Sequence, residues 1–347
     1  MKRIIKLSLF LLVIIGSVAA QDAHFSQWSM APLHVNPALC GIYDGTFRLS
    51  NLYRTQWSGI KSKYETIGIS ADAAIFRKKG KDNFFGLGLL AYQEKAGAAG
   101  YKMFVLMPTL SYTTPLDANG EHFLSLGVQA GLNQRSLDLT GATWGNQWNG
   151  DKFDPALSSG EALNLLSLSY FDANAGFMYY YVPDGYRSAY LGASVAHLNK
   201  PDLSFFVTGK DILPRRLTVH TGAELPITRD YSTWFVPRAQ FMLHNKQREI
   251  DFGFSIKNKL QFKSRFTNFK KEVFFYLGGH YRYGDAIVPM ARIEYNSFGL
   301  GISYDFTISE LSSLAGGANA LEIGLSWVNP VKRGQRARNY TKTPRFF

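Results

Sequence analysis

Segment 249–257, EIDFGFSIK, puts Ile250, Phe252, Phe254 and Ile256 on one face of an extended chain and Asp251, Gly253, Ser255 and Lys257 on the other. A two-residue period of this kind marks a β-strand with two different faces. Segment 122–132 repeats it, with Leu124, Leu126, Val128, Ala130 and Leu132 opposed to Ser125, Gly127, Gln129 and Gly131. In 215–225 the apolar side is Leu217, Val219, Ala223 and Leu225, against Arg216, Thr218, His220 and Glu224. Near the end, Leu321, Ile323, Leu325 and Trp327 alternate with Glu322, Gly324 and Ser326.

A tilted membrane-spanning strand needs ~9–11 residues. By that yardstick about fourteen segments qualify: 46–57, 64–76, 83–93, 101–113, 122–132, 171–182, 186–197, 215–225, 233–244, 249–257, 273–282, 286–295, 298–306 and 320–328. Segments 83–93 and 101–113 differ in being apolar on both faces. Pro183-Asp184-Gly185 and Asn296-Ser297 supply turn chemistry between neighbouring segments. No helical period competes over a comparable length.

Alternation alone fits a soluble sandwich as well as a barrel, but sandwich strands are usually shorter. Here aromatics also gather at segment ends, as with Tyr53 and Trp57, Tyr179 to Tyr181, and Tyr281 and Tyr283. That is the girdle pattern of outer-membrane barrels, in which closure removes every free edge. The expected fold is therefore all-β: a transmembrane antiparallel β-barrel of outer-membrane type over 46–328, with about 14 strands. With both termini in the periplasm, the long loops 133–170 and 198–214 face outward. Segment 257–272, KNKLQFKSRFTNFKKE, then falls on the periplasmic side and is long for a turn there. It holds either two short strands or a genuine protrusion.

Composition sharpens this picture. Aromatic residues are 15% of the chain and glycines number 32, which suits strands, tight turns and girdles. Residues 1–20 have the form of a signal peptide, with basic Lys2, Arg3 and Lys6, an apolar run from Leu7 to Ile15, and small residues before Gln21. That apolar run is too short to span a bilayer as a helix. Its removal takes three positive charges from the formal +12 and leaves +9. Export argues against a nucleic-acid partner for that excess. Cys40 is the single cysteine, so no internal disulfide is available, and a small buried apolar role suits it best.

Candidate chemistry is sparse. The seven histidines (24, 34, 122, 197, 220, 244 and 280) show no metal-binding spacing. There is no phosphate-binding glycine loop with its Lys-Ser/Thr, and no G-x-S-x-G turn. The sequence calls for no enzyme activity, cofactor or metal. Arg48, Arg54, Asp72, Arg216, Glu224, Arg238, Asp251, Glu294, Asp305 and Glu322 should all point into the barrel. Their mixed signs suit a structural network better than a charge-selective pore. Two basic runs stand apart: Lys257, Lys259, Lys263, Arg265, Lys270 and Lys271, and a tail over 329–347 holding Lys332, Arg333, Arg336 and Arg338. Either run is a solvated face or a dock for an acidic partner or lipid headgroups.

The segment QDAHFSQWSMAPLHVNPALCG at 21–41, followed by FRLSNLYRTQW, resembles the start of the PorP/SprF family of outer-membrane proteins. LGASVAHLNKPDLSF at 191–205, GDAIVP at 284–289, FGLGISYDFTISELSS at 298–313 and TPRFF at 343–347 continue the resemblance in order. It implies a non-enzymatic barrel of the type IX secretion and gliding systems of Bacteroidetes. Its partners would be a periplasmic ring lipoprotein, a secreted adhesin, or both, in outer-membrane lipid. Cys40, where the family commonly has a small residue, and the long 257–272 insert depart from the pattern. Segment 21–45 precedes the first strand, so it lies periplasmically or folds into the lumen. Broken by Pro32 and Pro37 and rich in rings such as Phe25 and Trp28, it is expected to pack into or across the barrel mouth. With the basic runs it would build a docking surface. A diffusion channel for small solutes and an embedded hydrolase are the competing expectations.

Overall fold

The computed structural model describes residues 22–330, apart from 58–62, 77–82, 98–99, 140–142, 155, 159, 161–165, 206–208, 263–270 and 310–318. Its strands are β1 (Phe47–Gln56), β2 (Tyr64–Ile75), β3 (Phe84–Ala96), β4 (Tyr101–Pro115), β5 (His122–Ser136), β6 (Ser167–Tyr181) and β7 (Ser188–Ala196). The second half holds β8 (Arg216–Pro226), β9 (Thr233–His244), β10 (Gln247–Gln261), β11 (Val273–Arg282), β12 (Ala286–Tyr295), β13 (Phe298–Thr307) and β14 (Ala320–Asn329). Each strand pairs with its chain neighbours, and β14 returns to β1 to close the barrel. The closing seam is antiparallel and unbroken from Phe47↔Asn329 to Gln56↔Ala320. Among the described residues every strand has a hydrogen-bonded neighbour on both sides, as a bilayer requires.

The expected segments and the observed strands coincide, with differences at their ends. β5 runs on to Ser136, β6 begins at Ser167, and β10 extends from Gln247 to Gln261. These extensions are mostly polar on both faces, so alternation fades while backbone pairing continues.

The two-residue period sets the faces. Phe252 and Phe254 are 47% and 51% exposed on the outer surface, and their neighbour Ser255 is 2% exposed inside. Ile67, Ile69, Leu87, Leu126 and Val128 extend this apolar outer band around the barrel. A patch of that extent suits lipid.

One mouth holds the start of β1 and the end of β14 and is called the terminal mouth below. The opposite, distal mouth carries the long connections 137–166 and 197–215 and also the tight turn 245–246. Asn245 closes that turn with a left-handed φ of 57°, and Asn296 does the same at the terminal mouth with φ 56°. Asparagine tolerates this region better than other non-glycine residues.

Candidate functional site

Residues 22–43 do not stay outside the barrel. From Asp22 at the distal mouth they descend through the lumen to Tyr43 beside the base of β1, and nearly all of them are buried. Their course is irregular for local reasons. Pro32 opens a one-turn helix, α1 (Pro32–Val35), and Pro37 opens a 3-10 turn over Pro37–Leu39. Proline suits the first position of a turn because the N–H it lacks has no partner there. Asn36 stands between them and caps the second turn, its Oδ1 accepting from Ala38 N at 2.9 Å.

Irregular backbone inside a barrel leaves N–H and C=O groups that water cannot reach, and each must find a partner. The inner wall supplies them. Ser194 Oγ donates to Val35 O at 2.7 Å, Ser125 Oγ to Ala38 O at 2.8 Å, and Ser111 Oγ to Cys40 O at 2.7 Å. Asn36 Nδ2 donates to Phe177 O at 2.9 Å and lies 3.0 Å from His220 Nε2. Glycines on the same wall make the approach close enough. A side chain at Gly127 would run into the backbone of Pro37 and Ala38, and one at Gly86 into the carbonyl of Cys40.

Apolar packing fills the remaining space. Leu33 and Cys40 sit among Leu90, Met103, Val105 and Met107 of β3 and β4. Leu39 and Ile42 sit among Phe84, Phe123, Tyr180 and Tyr190. Full burial of a leucine contributes about 1.5–3 kcal/mol. This explains the doubly apolar character of β3 and β4: one face meets lipid, the other meets the plug.

Ion pairs hold the plug at three levels. At the base, Arg48 grips Asp72 through Nε and Nη2, each at 2.9 Å. Asp72 Oδ2, the oxygen held by Nη2, also accepts Gly41 N at 2.7 Å, and Arg48 Nη2 reaches Leu39 O. Toward the distal end, the Glu322 carboxylate accepts Ser26 N at 2.9 Å and Gln27 N at 2.7 Å. Ser26 Oγ donates to Asp305 at 2.7 Å and accepts from Arg54 at 2.7 Å and Arg282 at 2.8 Å. That uses one donor and two lone pairs, the full capacity of a hydroxyl.

The third level is the distal mouth. Asp22 Oδ2 lies 2.7 Å from His197 Nε2 and 2.9 Å from Arg216 Nη1. His197 Nδ1 lies 2.8 Å from Asp172 Oδ2. An imidazole between two carboxylates donates from both nitrogens and is therefore imidazolium. Burial alone would lower its pKa, but Asp22 and the hydrogen bonds to Asp172 and Asp22 raise it to about 9. Burial opposes ionisation of Asp22, yet His197 and Arg216 hold its carboxyl well below the usual range. Beside this cluster is a cavity of about 330 Å³ lined by Asp22, His24, Arg216, Met242, His244 and Glu249, among others. Cys40 is a free thiol buried with Leu33, Leu90 and Met107.

Several residues expected to form a docking surface are placed elsewhere. Phe25, Trp28, Pro32 and Pro37 are buried against the wall and offer no surface to a partner. Lys257 needs a correction too. It lies inside β10, only 3% exposed, 2.8 Å from Glu224 and about 5 Å from the rings of Trp234 and Phe274. β10 continues to Gln261, so this lysine belongs to the inner wall and not to a loop. Lys259 pairs with Glu272 at 2.8 Å near the terminal mouth, and Lys271 follows β10 there, its carbonyl accepting from Gln261. Lys263, Arg265, Lys270, Lys332, Arg333, Arg336 and Arg338 lie outside the described residues. The expected inward charges do face inward: Arg48, Arg54, Asp72, Glu224, Arg238, Asp251, Asp305 and Glu322 are all buried.

Sequence reasoning missed the Asp22–His197–Asp172–Arg216 cluster. Its members are far apart in the chain, and only barrel closure and plug insertion bring them together.

A closed antiparallel barrel of outer-membrane type, with its own N-terminal segment packed through the lumen, defines the class. The chain belongs to the PorP/SprF family, described as type IX secretion system membrane proteins, whose model matches residues 17–327. No curated protein matches it in sequence. Among solved structures it is similar to the Ralstonia pickettii toluene transporter TbuX, with 13% identity, 90% of this chain and 96% of that chain covered, and a TM-score of 0.49. It is also similar to the Pseudomonas putida toluene transporter TodX (10% identity, 89% and 94% covered, TM-score 0.46). BamA from Haemophilus ducreyi lacking POTRA domains 1–3 aligns at 12% identity over 82% and 70%, with a TM-score of 0.40.

Proposed function

We propose that this protein is a non-enzymatic, plugged outer-membrane barrel that holds protein partners of the type IX secretion machinery at its mouths. The observation that carries this reading is the filled lumen: residues 22–43 are bonded to the wall at the base, the middle and the distal end. This packing opposes a continuous water-filled pore, the feature a diffusion channel needs. Short connections conventionally face the periplasm and long ones the exterior. By that rule the terminal mouth is periplasmic and loops 137–166 and 197–215 are external.

Lys259 and Lys271 then lie at the mouth that a periplasmic ring lipoprotein would reach. β14 ends at the same mouth, at Asn329. The plug's contribution to docking is indirect: Leu39, Gly41 and Tyr43, bonded to Arg48 and Asp72, hold the terminal mouth in one shape. The external loops are the surface available to a secreted adhesin.

The test is a mild-detergent pull-down of the tagged protein from outer membranes, with co-purifying proteins identified by mass spectrometry. Stoichiometric recovery of a ring lipoprotein or a secreted adhesin supports the reading and selects between the two partners. A partnerless barrel with steady conductance in planar bilayers overturns it in favour of a diffusion channel.

A further inference from the structure

Two nitrogens at the distal mouth stand buried without a partner: Nε of Arg216 and Nε2 of His24. Arg216 engages Asp22 through Nη1 alone, at 2.9 Å, so the Nε edge of its guanidinium is left over. Both residues line the cavity of about 330 Å³. A second, smaller gap behind it is lined by the same pair with Trp28 and Gln240. Its lining residues Met242, His244, Gln247 and Glu249 flank the turn 245–246 that joins β9 and β10, so the cavity lies at the distal rim of the barrel.

The chain itself shows what that edge of an arginine takes. At the base of the plug, Arg48 uses Nε and Nη2 to hold the Asp72 carboxylate at 2.9 Å on each arm. Paired N–H donors in this fork match the spacing of two carboxylate oxygens. A buried donor with no acceptor costs more than one that is paired, so filling the site is favourable. The acidic neighbours do not fill it. Asp22 is committed to His197 and Arg216 Nη1, and Glu249, across the cavity, faces Arg282 at 3.7 Å.

We propose that the distal vestibule is a carboxylate-binding site. One oxygen of the ligand lies on the Nε edge of Arg216 and the other within reach of His24 Nε2, with Met242 beside the ligand's apolar portion. Two sources share this chemistry: a small free monocarboxylate and the C-terminus of a peptide. The site does not rest on the secretion reading and stands or falls separately from it.

The experiment titrates the full-length mature barrel, purified in detergent, with propionate, with tri-alanine carrying a free C-terminus, and with tri-alanine amide, followed by calorimetry. At least one free carboxylate is expected to bind saturably, and the amide at least about tenfold more weakly, the worth of one charge-assisted hydrogen bond. Binding of both acids assigns a small-carboxylate site, and binding of tri-alanine alone assigns a peptide terminus. Arg216→Gln should weaken binding by a similar factor. Because that variant also loosens Asp22, Met242→Trp provides a second check: it fills the cavity while leaving Arg216 paired, and binding should be lost. No saturable binding of either acid, equal binding of the amide, or unchanged binding to Met242→Trp overturns the proposal.

Discussion

Arg48 of β1 and Asp72 of β2 form a two-armed ion pair, 2.9 Å on each arm, with side chains 1% and 0% exposed. The pair does more than join two strands. Asp72 accepts the backbone N–H of Gly41, and Arg48 donates to the carbonyl of Leu39, so it fastens the plug where the plug becomes the barrel wall. Breaking a buried pair by removing one partner costs about 3–5 kcal/mol, because the other charge is stranded. Arg48→Ala and Asp72→Ala are each expected to lower stability by that amount, measured as the temperature at which the folded gel band is lost. The double variant Arg48→Met/Asp72→Leu should cost less than either single change, about 1–3 kcal/mol for the orphaned Gly41 N–H.

Gly127→Ala tests the fit between wall and plug. The added carbon meets the backbone of Pro37 and Ala38, which has no flexible end to yield. Overpacking of this kind costs about 1–3 kcal/mol. The barrel ladder itself is untouched, so the expected outcome is a folded barrel with a displaced plug, seen as a rise in planar-bilayer conductance.

Deleting residues 22–40 should open the lumen and abolish capture of the partner. Heat-modifiable migration on a gel verifies that the barrel has closed, and pull-down measures capture. A closed barrel lacking these residues that still captures its partner normally would sink the proposed link between plug and docking surface.

Phe254 and Ser255 are neighbours on opposite faces of β10, 51% and 2% exposed. Phe254→Arg should cost ~2–4 kcal/mol if its face meets the middle of the bilayer. Ser255→Thr should be tolerated far better. Urea titration of both variants in lipid vesicles checks the assignment, and equal costs would refute it.

The distal latch has a pH window. The pKa of His197 is raised to about 9, so its contribution is complete below its ordinary pKa of ~6.5 and is lost as pH rises through about 9. The carboxyl of Asp22 is held low, so its contribution is present above its ordinary ~3.9 and fails only in stronger acid. The thermal midpoint should therefore fall between pH 7 and pH 10, by at most ~3 kcal/mol of stability. His197→Phe should flatten that dependence, and a wild-type midpoint unchanged over this range would contradict the clamp.

Much of this molecule was legible from its chain because a β-strand writes its two faces in alternate residues. Ile250, Phe252 and Phe254 against Asp251, Gly253 and Ser255 announce lipid on one side and a polar interior on the other. About fourteen strand-length stretches, most of them alternating, with turn residues between them, are enough for a barrel, and the motifs at 21–41, 191–205, 284–289, 298–313 and 343–347, taken in order, are enough for a family. The plug was half legible: Pro32, Pro37 and the rings around them mark a segment that must lie against something.

What it lies against was decided only by the tertiary structure. The inner apolar faces of β3 and β4 look like noise in the alternation until Leu33 and Cys40 are set against them. Lys257 reads as part of a basic loop until strand pairing carries β10 past it and turns its ammonium toward Glu224. Asp22, Asp172, His197 and Arg216 have no spacing that links them, because contact across a closed barrel depends on register and plug path, not on distance along the chain. Local periodicity determines which way each side chain points, and only closure determines what it meets there.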